Sequence, residues 1–352
     1  MKDEGKEKSG QSMSGVNFNR RSWLKITGVG VALLAGGLTI GARAQLLPGL
    51  RPGAATPFQQ RELDPNGGMA VVLLGTGTPI PNPDRACAST LVIAGDKAFI
   101  FDTGRGFLNN LAKAGIYGIN AVFFTHYHSD HFGEFGEFMV TRAVQGADQP
   151  MPVIGPTGAK RVVGGIMEAY ALDNSYRKAH HKDNWHEQGM VAEVTEASPG
   201  VVYDRDGVKV TMFDVDHAPI VPAEGYRIDY KGQSVVISGD TKKCAKVAEM
   251  AQGCDILVHE AINKDLIQRG MDMGGNMSPR MQALVKDMMD YHASTEEVAQ
   301  IAADARVKKL VLTHMVPGLP PNPAADRLFT SGMGGIYKGP IVVGRDGMEI
   351  NA

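Results

Sequence analysis

The stretch Thr125-His126-Tyr127-His128-Ser129-Asp130-His131 is the most informative segment of this 352-residue chain. It places four candidate metal ligands within six residues, between a predicted buried strand at 121–125 and Gly133. Because the backbone turns at such a junction, His126 and His128 can converge on one ion while Asp130 and His131 turn toward a second. Imidazole and carboxylate groups without a thiolate suit Zn²⁺.

Further candidate ligands stand at the ends of other predicted strands. Short apolar segments between glycine-rich turns predict strands at 69–74, 90–94, 98–101, 208–213, 226–230, 234–238, 256–259 and 311–314. The candidates that follow or end the later strands are His217, Asp240, His259, Glu260 and His314. Since the chain has only 10 His, this placement indicates a shared site. The order of strands and helices predicts two packed sheets with helices outside.

On these residues the chain resembles the metallo-β-lactamase superfamily, over roughly residues 69–349; the signature is His126-x-His128-x-Asp130-His131. The resemblance implies an α/β fold, the αββα four-layer sandwich, with two zinc ions at one rim of the sheets. It also implies that Asp102 supports the site structurally. The implied ligands are His126, His128 and His217 for the first zinc, Asp130, His131 and His314 for the second, and Asp240 bridging both.

The implied pair of ions has a chemical reason. Two zinc ions about 3.5–4 Å apart lower the pKa of a shared water, and the resulting hydroxide can attack a carbonyl, phosphorus or sulfur centre. The ions also stabilise the charge that develops on oxygen in the transition state. Manganese and iron can occupy similar nitrogen and oxygen sites, so zinc is the expectation and the metal stays open.

Four further motifs resemble ribonuclease Z and its relatives, which include exported zinc arylsulfatases and a few β-lactamases. These motifs are residues 75–79 (Gly-Thr-Gly-Thr-Pro), 239–241, 259–260 and 292–295. In that branch a Glu–His pair helps proton transfer to the leaving group, which here implies Glu260 and His292 as catalytic residues beside Asp130. A carboxylate next to an imidazole favours the imidazolium, which is the better acid toward a leaving oxyanion.

One departure from ribonuclease Z concerns the substrate. That family typically carries a long basic arm that grips tRNA between the positions of His217 and Asp240, whereas here only 22 residues separate them and a hairpin at Lys231-Gly232 is predicted. We therefore expect hydrolysis of sulfate or phosphate esters of small molecules, as in an arylsulfatase. The alternatives are a β-lactamase or lactonase acting on a cyclic amide or ester, and a ribonuclease Z-like phosphodiesterase acting on RNA. A non-catalytic metal-storage protein is disfavoured by the complete ligand set.

The N-terminal residues predict export. Residues 1–44 resemble a twin-arginine signal peptide, with Arg20-Arg21, a weakly apolar segment at 26–41 and Ala42-Arg43-Ala44 as a cleavage site. Residues 45–67 predict a linker and 68–352 the hydrolase domain. The expected location is periplasmic or secreted, the expected partner is the twin-arginine export machinery, and the mature form should have no membrane span. A homodimer is left open.

The charge of the chain and four local segments lead to further expectations. Without residues 1–44 the chain has 29 Lys and Arg against 35 Asp and Glu, a net charge of −6 that disfavours general nucleic-acid binding. Residues 174–189 are either a substrate-facing loop or a solvated insertion. The methionines at 270–281 favour adaptable packing over a copper site. Residues 341–350 predict a terminal hairpin, and Ser294 with Glu297 predicts a capped helix.

Overall fold

The computed structural model describes residues 60–273 and 278–352. The predicted signal peptide and residues 45–59 of the predicted linker lie outside the described residues. The end of that linker contacts the domain: Arg61 donates to both carboxylate oxygens of Glu349 at 2.6 and 2.9 Å. Within the described ranges, no helix has the length and apolar character that a membrane span requires.

Two mixed sheets form the centre of the domain. The first has the order β14-β1-β2-β3-β4-β5-β6, with strands at Met69–Gly75 (β1), Ser89–Ala94 (β2), Lys97–Phe101 (β3), Ala121–Phe123 (β4), Met151–Gly155 (β5), Ala192–Glu196 (β6) and Glu349–Asn351 (β14). The second has the order β13-β12-β11-β10-β9-β8-β7, with strands at Gly200–Arg205 (β7), Val208–Asp214 (β8), Glu224–Tyr230 (β9), Gln233–Ile237 (β10), Ile256–Ile262 (β11), Leu310–Val316 (β12) and Ile341–Val343 (β13).

Helices cover the outer faces of the two sheets. They span Phe107–Ala114 (α1), Ser129–Phe132 (α2), Phe135–Val144 (α3), Ala159–Ala169 (α4), Ala171–His181 (α5), Ala245–Met250 (α6), Lys264–Met273 (α7), Pro279–Met288 (α8), Thr295–Asp304 (α9), Pro323–Phe329 (α10) and Met333–Ile336 (α11). One apolar cluster lies between the sheets, a second joins the first sheet to α1, α3 and α4, and a third joins the second sheet to α6 and α9. This layering confirms the predicted αββα sandwich.

Burial on both faces explains the sequence of the central strands. All seven residues of β1 and all seven of β11 are buried, because one side of each strand packs on the facing sheet and the other on helices. Such strands contain nearly continuous apolar residues instead of an alternating pattern. The polar residues of β11, His259 and Glu260, are therefore exceptions that need a specific reason to be buried.

Local chemistry also explains two predicted features. Lys231 and Gly232 both have positive φ, 47° and 78°, and form the two-residue turn that joins β9 to β10. The Ser294 side chain accepts from the Glu297 amide while the Glu297 side chain accepts from the Ser294 amide, so the predicted capping box of α9 is confirmed.

The predicted terminal hairpin at 341–350 is wrong. β13 pairs parallel to β12 in the second sheet, while β14 pairs antiparallel to β1 in the first. The chain crosses from the second sheet to the first between these strands, where the Asp346 carboxylate accepts from the Thr76 amide and hydroxyl and from the Ala86 amide, next to the ends of β1 and β2. A turn containing Gly347 at φ 79° looks like a hairpin turn in sequence, although its two strands belong to different sheets.

Candidate metal centre

The candidate ligands meet because their strands end at one rim of the sandwich. β10, β11 and β12 are parallel neighbours, so the residues at their carboxyl ends lie side by side, which places Asp240, Glu260 and His314 together. In the first sheet β3 and β4 are also parallel. They bring Asp102 and the 126–131 segment to the same rim.

Two residues of this rim have left-handed backbone. His314 has φ 44° and Asp102 has φ 63°. Asp and His adopt this conformation more often than most residues, but it is still uncommon and strained for any residue with a Cβ. Such strain persists only where the surroundings fix it, and it concentrates at functional sites. The backbone at His314 thus agrees with a side chain whose direction matters.

Four side chains form the first group. One donor atom each of His126, His128, His217 and Asp240 lies within 4.8 Å of the others. The Nε2 atom of His126 is 3.0 Å from Nδ1 of His128, and His126 and His217 are almost fully buried. Three imidazoles and a carboxylate at this separation can surround one ion.

Three side chains form the second group, and Asp240 lies between the two groups. Asp130, His131 and His314 again have donor atoms within 4.8 Å of one another. The Oδ2 atom of Asp240 is 3.3 Å from Nε2 of His131 and 3.4 Å from Nε2 of His314. The same oxygen is 3.9 and 4.0 Å from the Nε2 atoms of His126 and His217 in the first group. A carboxylate in this position can bridge two ions.

Unpartnered buried nitrogens provide the test of whether metal ions fit here. Nε2 of His131 and Nε2 of His217 are buried without a hydrogen-bond partner among the described residues. Buried polar atoms are normally paired, and an exception is expected where a nitrogen serves as a ligand to an ion. Both nitrogens face Asp240 Oδ2, so the donor set fits two cations, and its nitrogen and carboxylate composition suits zinc.

The electrostatics favour the protonation states that metal binding requires. Burial lowers the pKa values of His126, His128 and His217 and so favours their neutral imidazoles. Burial alone would raise the pKa of Asp240, but the neighbouring His314 and His131 outweigh it and hold that pKa well below its usual range. His131 is the exception: the charges of Asp102 and Asp240 overcome burial and raise its pKa, so its imidazolium is favoured and a metal ion would have to displace that proton.

Two hydrogen bonds orient the ligand rings. Nδ1 of His131 donates to Oδ2 of Asp102 at 2.7 Å, and Nδ1 of His217 donates to the Tyr291 carbonyl at 3.0 Å. Each bond leaves Nε2 directed at the centre, because a metal-bound histidine commonly donates its other ring N–H to a carboxylate or carbonyl that fixes the ring orientation. Asp102 is itself fixed, because it accepts from the amide and the hydroxyl of Thr125.

The Glu260–His292 pair lies beside the two groups. Oε1 of Glu260 accepts from Nδ1 of His292 at 2.9 Å and from the Thr241 amide at 3.1 Å. Burial disfavours the His292 imidazolium, but the charge and hydrogen bond of Glu260 prevail and raise its pKa to about 9. A ring nitrogen of His292 lies within 4.8 Å of donor atoms of Asp240 and His314. The pair can therefore present a proton to a group held at the centre.

The sequence matches the family described as "Beta-lactamase superfamily domain" over residues 97–315. It is 42% identical over 254 residues to the Ribonuclease Z of Mycolicibacterium paratuberculosis, which covers 71% of this chain and 86% of that protein. It is 43% identical over 254 residues to the Ribonuclease Z of Mycobacterium marinum, covering 71% and 87%. The chain belongs to the metallo-β-lactamase superfamily, in its ribonuclease Z branch. It therefore has the fold of metallo-hydrolases.

Solved structures agree with this family at the level of the fold. The short form of human tRNase Z superposes with a TM-score of 0.57 at 21% identity, over 80% of this chain and 98% of that one. The metallo-β-lactamase fold protein YhfI from Bacillus subtilis gives a TM-score of 0.57 at 18% identity, over 81% and 100%. At these identities the likeness extends to the arrangement of sheets and helices.

In this ribonuclease Z relative, the structure gathers all seven predicted ligands together with Glu260 and His292. Their assignment as ligands and catalytic groups stays a prediction. His259, which the sequence also marked as a candidate, does not join either group: its Nδ1 donates to the Glu260 carbonyl at 2.6 Å. The Tyr291 carbonyl, which orients His217, was missed because a backbone acceptor leaves no trace in residue type.

The segment 174–189 forms α5 and short 3₁₀ turns on the surface. His180, His181 and His186 are exposed, and their ring contacts run from His180 to His181 and from His181 to Trp185. Arg177 lies over the Trp185 ring, 6.0 Å from its centroid. These contacts are those of a solvated helical insertion.

Proposed function

We propose that this chain is a two-zinc phosphodiesterase of the ribonuclease Z type. The observation that carries the proposal is the convergence of seven nitrogen and carboxylate donors beside a buried Glu–His pair, in a chain about 42% identical to proteins named Ribonuclease Z. These relatives favour the phosphodiesterase alternative over sulfate-ester hydrolysis, which we had expected from the sequence.

Each residue of the site would have a defined task. His126, His128 and His217 would hold one zinc ion, and Asp130, His131 and His314 the other, with Asp240 between them. When bound, the two ions supply Lewis-acid charge and make water nucleophilic near neutral pH.

The proton transfer belongs to residues of the chain. Glu260 holds Nδ1 of His292 and favours the imidazolium. His292 would pass its proton to the oxygen that leaves phosphorus, and Glu260 would stabilise the charged ring before that step. The amide of Thr241 fixes the same Glu260 oxygen, so the carboxylate does not have to reorganise.

The form of the substrate is a second part of the proposal. The two-residue turn at Lys231-Gly232 joins β9 to β10 directly, and the Lys231 ammonium donates to the Pro65 carbonyl at 3.1 Å. This turn falls between His217 and Asp240, where the resemblance places the tRNA-gripping arm of ribonuclease Z. We therefore propose short or small phosphodiesters as substrates.

A panel of esters tests the proposed reaction. The zinc-loaded protein should hydrolyse bis(p-nitrophenyl) phosphate with a kcat/KM at least about ten times that for p-nitrophenyl sulfate, because the site is expected to stabilise the phosphoryl transition state selectively. Nitrocefin and a 3′-extended precursor tRNA complete the panel. Faster turnover of the sulfate or of nitrocefin would contradict the proposed phosphodiesterase reaction. Efficient tRNA cleavage would contradict the proposal that the substrates are short or small phosphodiesters.

The location is a separate proposal, supported by the Arg20-Arg21 motif and the apolar segment that follows it. Fractionation of cells that produce the full chain should recover it outside the cytoplasm, and changing both arginines to lysine should retain it inside. Equal export of both chains would remove the twin-arginine route.

A further inference from the structure

Tyr291 lies between the first candidate metal group and the Glu260–His292 pair. Its carbonyl accepts from Nδ1 of His217 at 3.0 Å. Its ring centroid is 5.4 Å from that of His217 and 4.7 Å from that of His292. The centroids of these two histidines are themselves 5.4 Å apart, so the three rings pack against one another. One residue thus contacts both a predicted metal ligand and the predicted proton donor.

The segment that carries Tyr291 is a short bridge between two helices. α8 ends three residues before Tyr291, and α9 begins four residues after it. Within this bridge the Ala293 carbonyl accepts from the Ile262 amide at 2.9 Å, which attaches the bridge to β11. The backbone at His292 is therefore held by its neighbours, whereas the direction of its ring depends on side-chain contacts.

The hydrogen bond to Glu260 leaves the ring of His292 free to tilt. It holds one nitrogen, Nδ1, at 2.9 Å from Oε1, while the other nitrogen is the one that must point at the reacting group. The ring also contacts Tyr291, His217 and His314, with centroids 4.7, 5.4 and 5.5 Å away. Tyr291 is the closest of the three, and it is not a predicted metal ligand. Because packing is what locks the rotamer of a catalytic group within its narrow working limits, the Tyr291 ring is suited to hold His292 in place.

The ring and the carbonyl of Tyr291 make these contacts, and the hydroxyl does not. No described residue hydrogen-bonds to that hydroxyl, and the side chain as a whole is half-buried. The carbonyl belongs to the backbone and stays in every variant. A substitution at this position therefore measures the contribution of the ring alone.

We propose that Tyr291 is a positioning residue for proton transfer, whose ring sets the direction of the His292 imidazole and packs on the ligand His217. The inference rests on the proposed phosphodiesterase function and adds a residue that the reaction needs. Tyr291 acts through the two histidines and does not have to touch the substrate. Loss of the ring should therefore slow the transfer of a proton to the leaving oxygen and leave substrate binding unchanged.

Two substitutions separate the ring from the hydroxyl. Tyr291→Ala should lower kcat for a dinucleotide about tenfold, since a packed aromatic pair contributes up to roughly this factor. The KM of the dinucleotide and the kcat for bis(p-nitrophenyl) phosphate should stay within about twofold, because nitrophenolate leaves without a proton. Tyr291→Phe restores the ring and should recover the kcat for the dinucleotide.

The control removes a tyrosine ring from the surface. Tyr176 in α5 is 66% exposed, and Tyr176→Ala should change neither substrate's kcat. Equal losses for both substrates in Tyr291→Ala would contradict the proposal, since they would assign the ring a general structural role. A loss in Tyr291→Phe as large as that in Tyr291→Ala would also contradict it, because the hydroxyl would then be the active group.

Zinc affinity tests the same residue without turnover. Competition with a chelator should show binding about tenfold weaker in Tyr291→Ala, because the ring that packs on His217 is lost. Tyr291→Phe should bind zinc as the unmodified chain does. Unchanged affinity in Tyr291→Ala would show that the ring does not position His217.

The two measurements let the proposed reaction and the positioning role fail separately. Phosphodiester cleavage that Tyr291→Ala leaves intact, together with unchanged zinc affinity, would remove the role of Tyr291 and keep the reaction. Zinc affinity that falls in Tyr291→Ala and recovers in Tyr291→Phe, in a protein that cleaves no phosphodiester, would remove the proposed reaction and keep Tyr291 as the residue that positions His217.

Discussion

Two groups of histidines in this chain show what makes a histidine a candidate ligand. Three lie at the surface in and after α5, at positions 180, 181 and 186. Seven lie at the rim of the sandwich: His126, His128, His131, His217, His259, His292 and His314. Both groups are dense in sequence or in space, so density alone does not distinguish them.

The difference lies in burial and in neighbouring carboxylates. At the rim, Asp240 lies within 4.0 Å of ring nitrogens of four histidines, and two of these nitrogens are buried without a hydrogen bond. The surface histidines contact each other and Trp185. Buried rings that converge on a carboxylate attract a cation, whereas exposed rings bind water.

Removing the shared carboxylate should have the largest effect. Asp240→Ala leaves His131 and His314 without the oxygen that lies 3.3 and 3.4 Å from them. We expect metal content to fall well below two ions per chain and kcat/KM to fall about 10³-fold or more, because metal catalysis provides several kcal/mol. Mass spectrometry for metals and the phosphodiester assay measure both.

The surface histidines provide the control for that experiment. The triple variant His180→Ala, His181→Ala and His186→Ala removes as many imidazoles as the first candidate metal group contains. It should keep the metal content and activity of the unmodified chain. A loss of zinc in this triple variant, with zinc retained by Asp240→Ala, would reverse the comparison between the two groups.

The next largest effect should come from His292, which belongs to the rim without being a predicted ligand. His292→Ala should keep two metal ions and lower kcat about 10²-fold for a dinucleotide, since its ribose oxygen needs a proton to leave. The loss should be much smaller for bis(p-nitrophenyl) phosphate, whose nitrophenolate leaves without one. Glu260→Gln should show the same dependence on the leaving group; equal losses for both substrates would assign the pair a structural role.

A smaller effect is expected at Asp102, which is hydrogen-bonded to the predicted ligand His131. Its carboxylate orients His131 through the 2.7 Å bond to Nδ1. Asp102→Asn preserves the size of the side chain and tolerates the positive φ of 63°. Zinc affinity, measured by competition with a chelator, should fall about 10- to 100-fold, and affinity equal to that of the unmodified chain would show that Asp102 does not orient the ring.

Sequence was sufficient for the rim because its signals are local. The 126–131 motif, Asp240 and His314 each follow a recognisable apolar strand, and strand ends of one sheet meet in space. The crossing at 341–350 was not predictable in the same way. Between β13 and β14, Asp346 accepts hydrogen bonds from Thr76 and Ala86, residues 270 and 260 positions away, and no local pattern records such contacts.

One apolar groove shows the same limit. Its walls come from the 77–82 loop, α7, α8 and the residues after His314, which are far apart in sequence. Met271 belongs to the segment at 270–281 that indicated adaptable packing, but the space between this segment and the loop depends on how β12 places both. A cavity is a property of distant surfaces that fail to touch, so composition alone does not predict it.

Glu224 is a buried carboxylate that does not converge with the histidines of the rim. A substitution there should have the smallest effect on function. Glu224 begins β9, is only 2% exposed, and its Oε2 has no hydrogen-bond partner among the described residues. Burial raises its pKa to about 7, and the charge of Asp214 adds to the shift. Unlike Asp240, it belongs to neither candidate metal group, so Glu224→Gln should leave zinc content and kcat/KM unchanged.

The consequence for stability depends on pH and has a definite sign. Below pH 4.5, the ordinary pKa of the group, both the folded and the unfolded chain hold the proton, and there is no penalty. Between pH 4.5 and about 7 the unfolded chain releases the proton first, so the free energy of unfolding falls as pH rises, and the deficit then stays constant. Glu224→Gln removes this titration.

The free energy of unfolding of the Glu224→Gln variant, relative to that of the unmodified chain, should therefore rise by up to about 3 kcal/mol from pH 4.5 to pH 8. Urea unfolding at both pH values measures the difference, and a difference that stays constant across this range would show that Glu224 is not held protonated by burial.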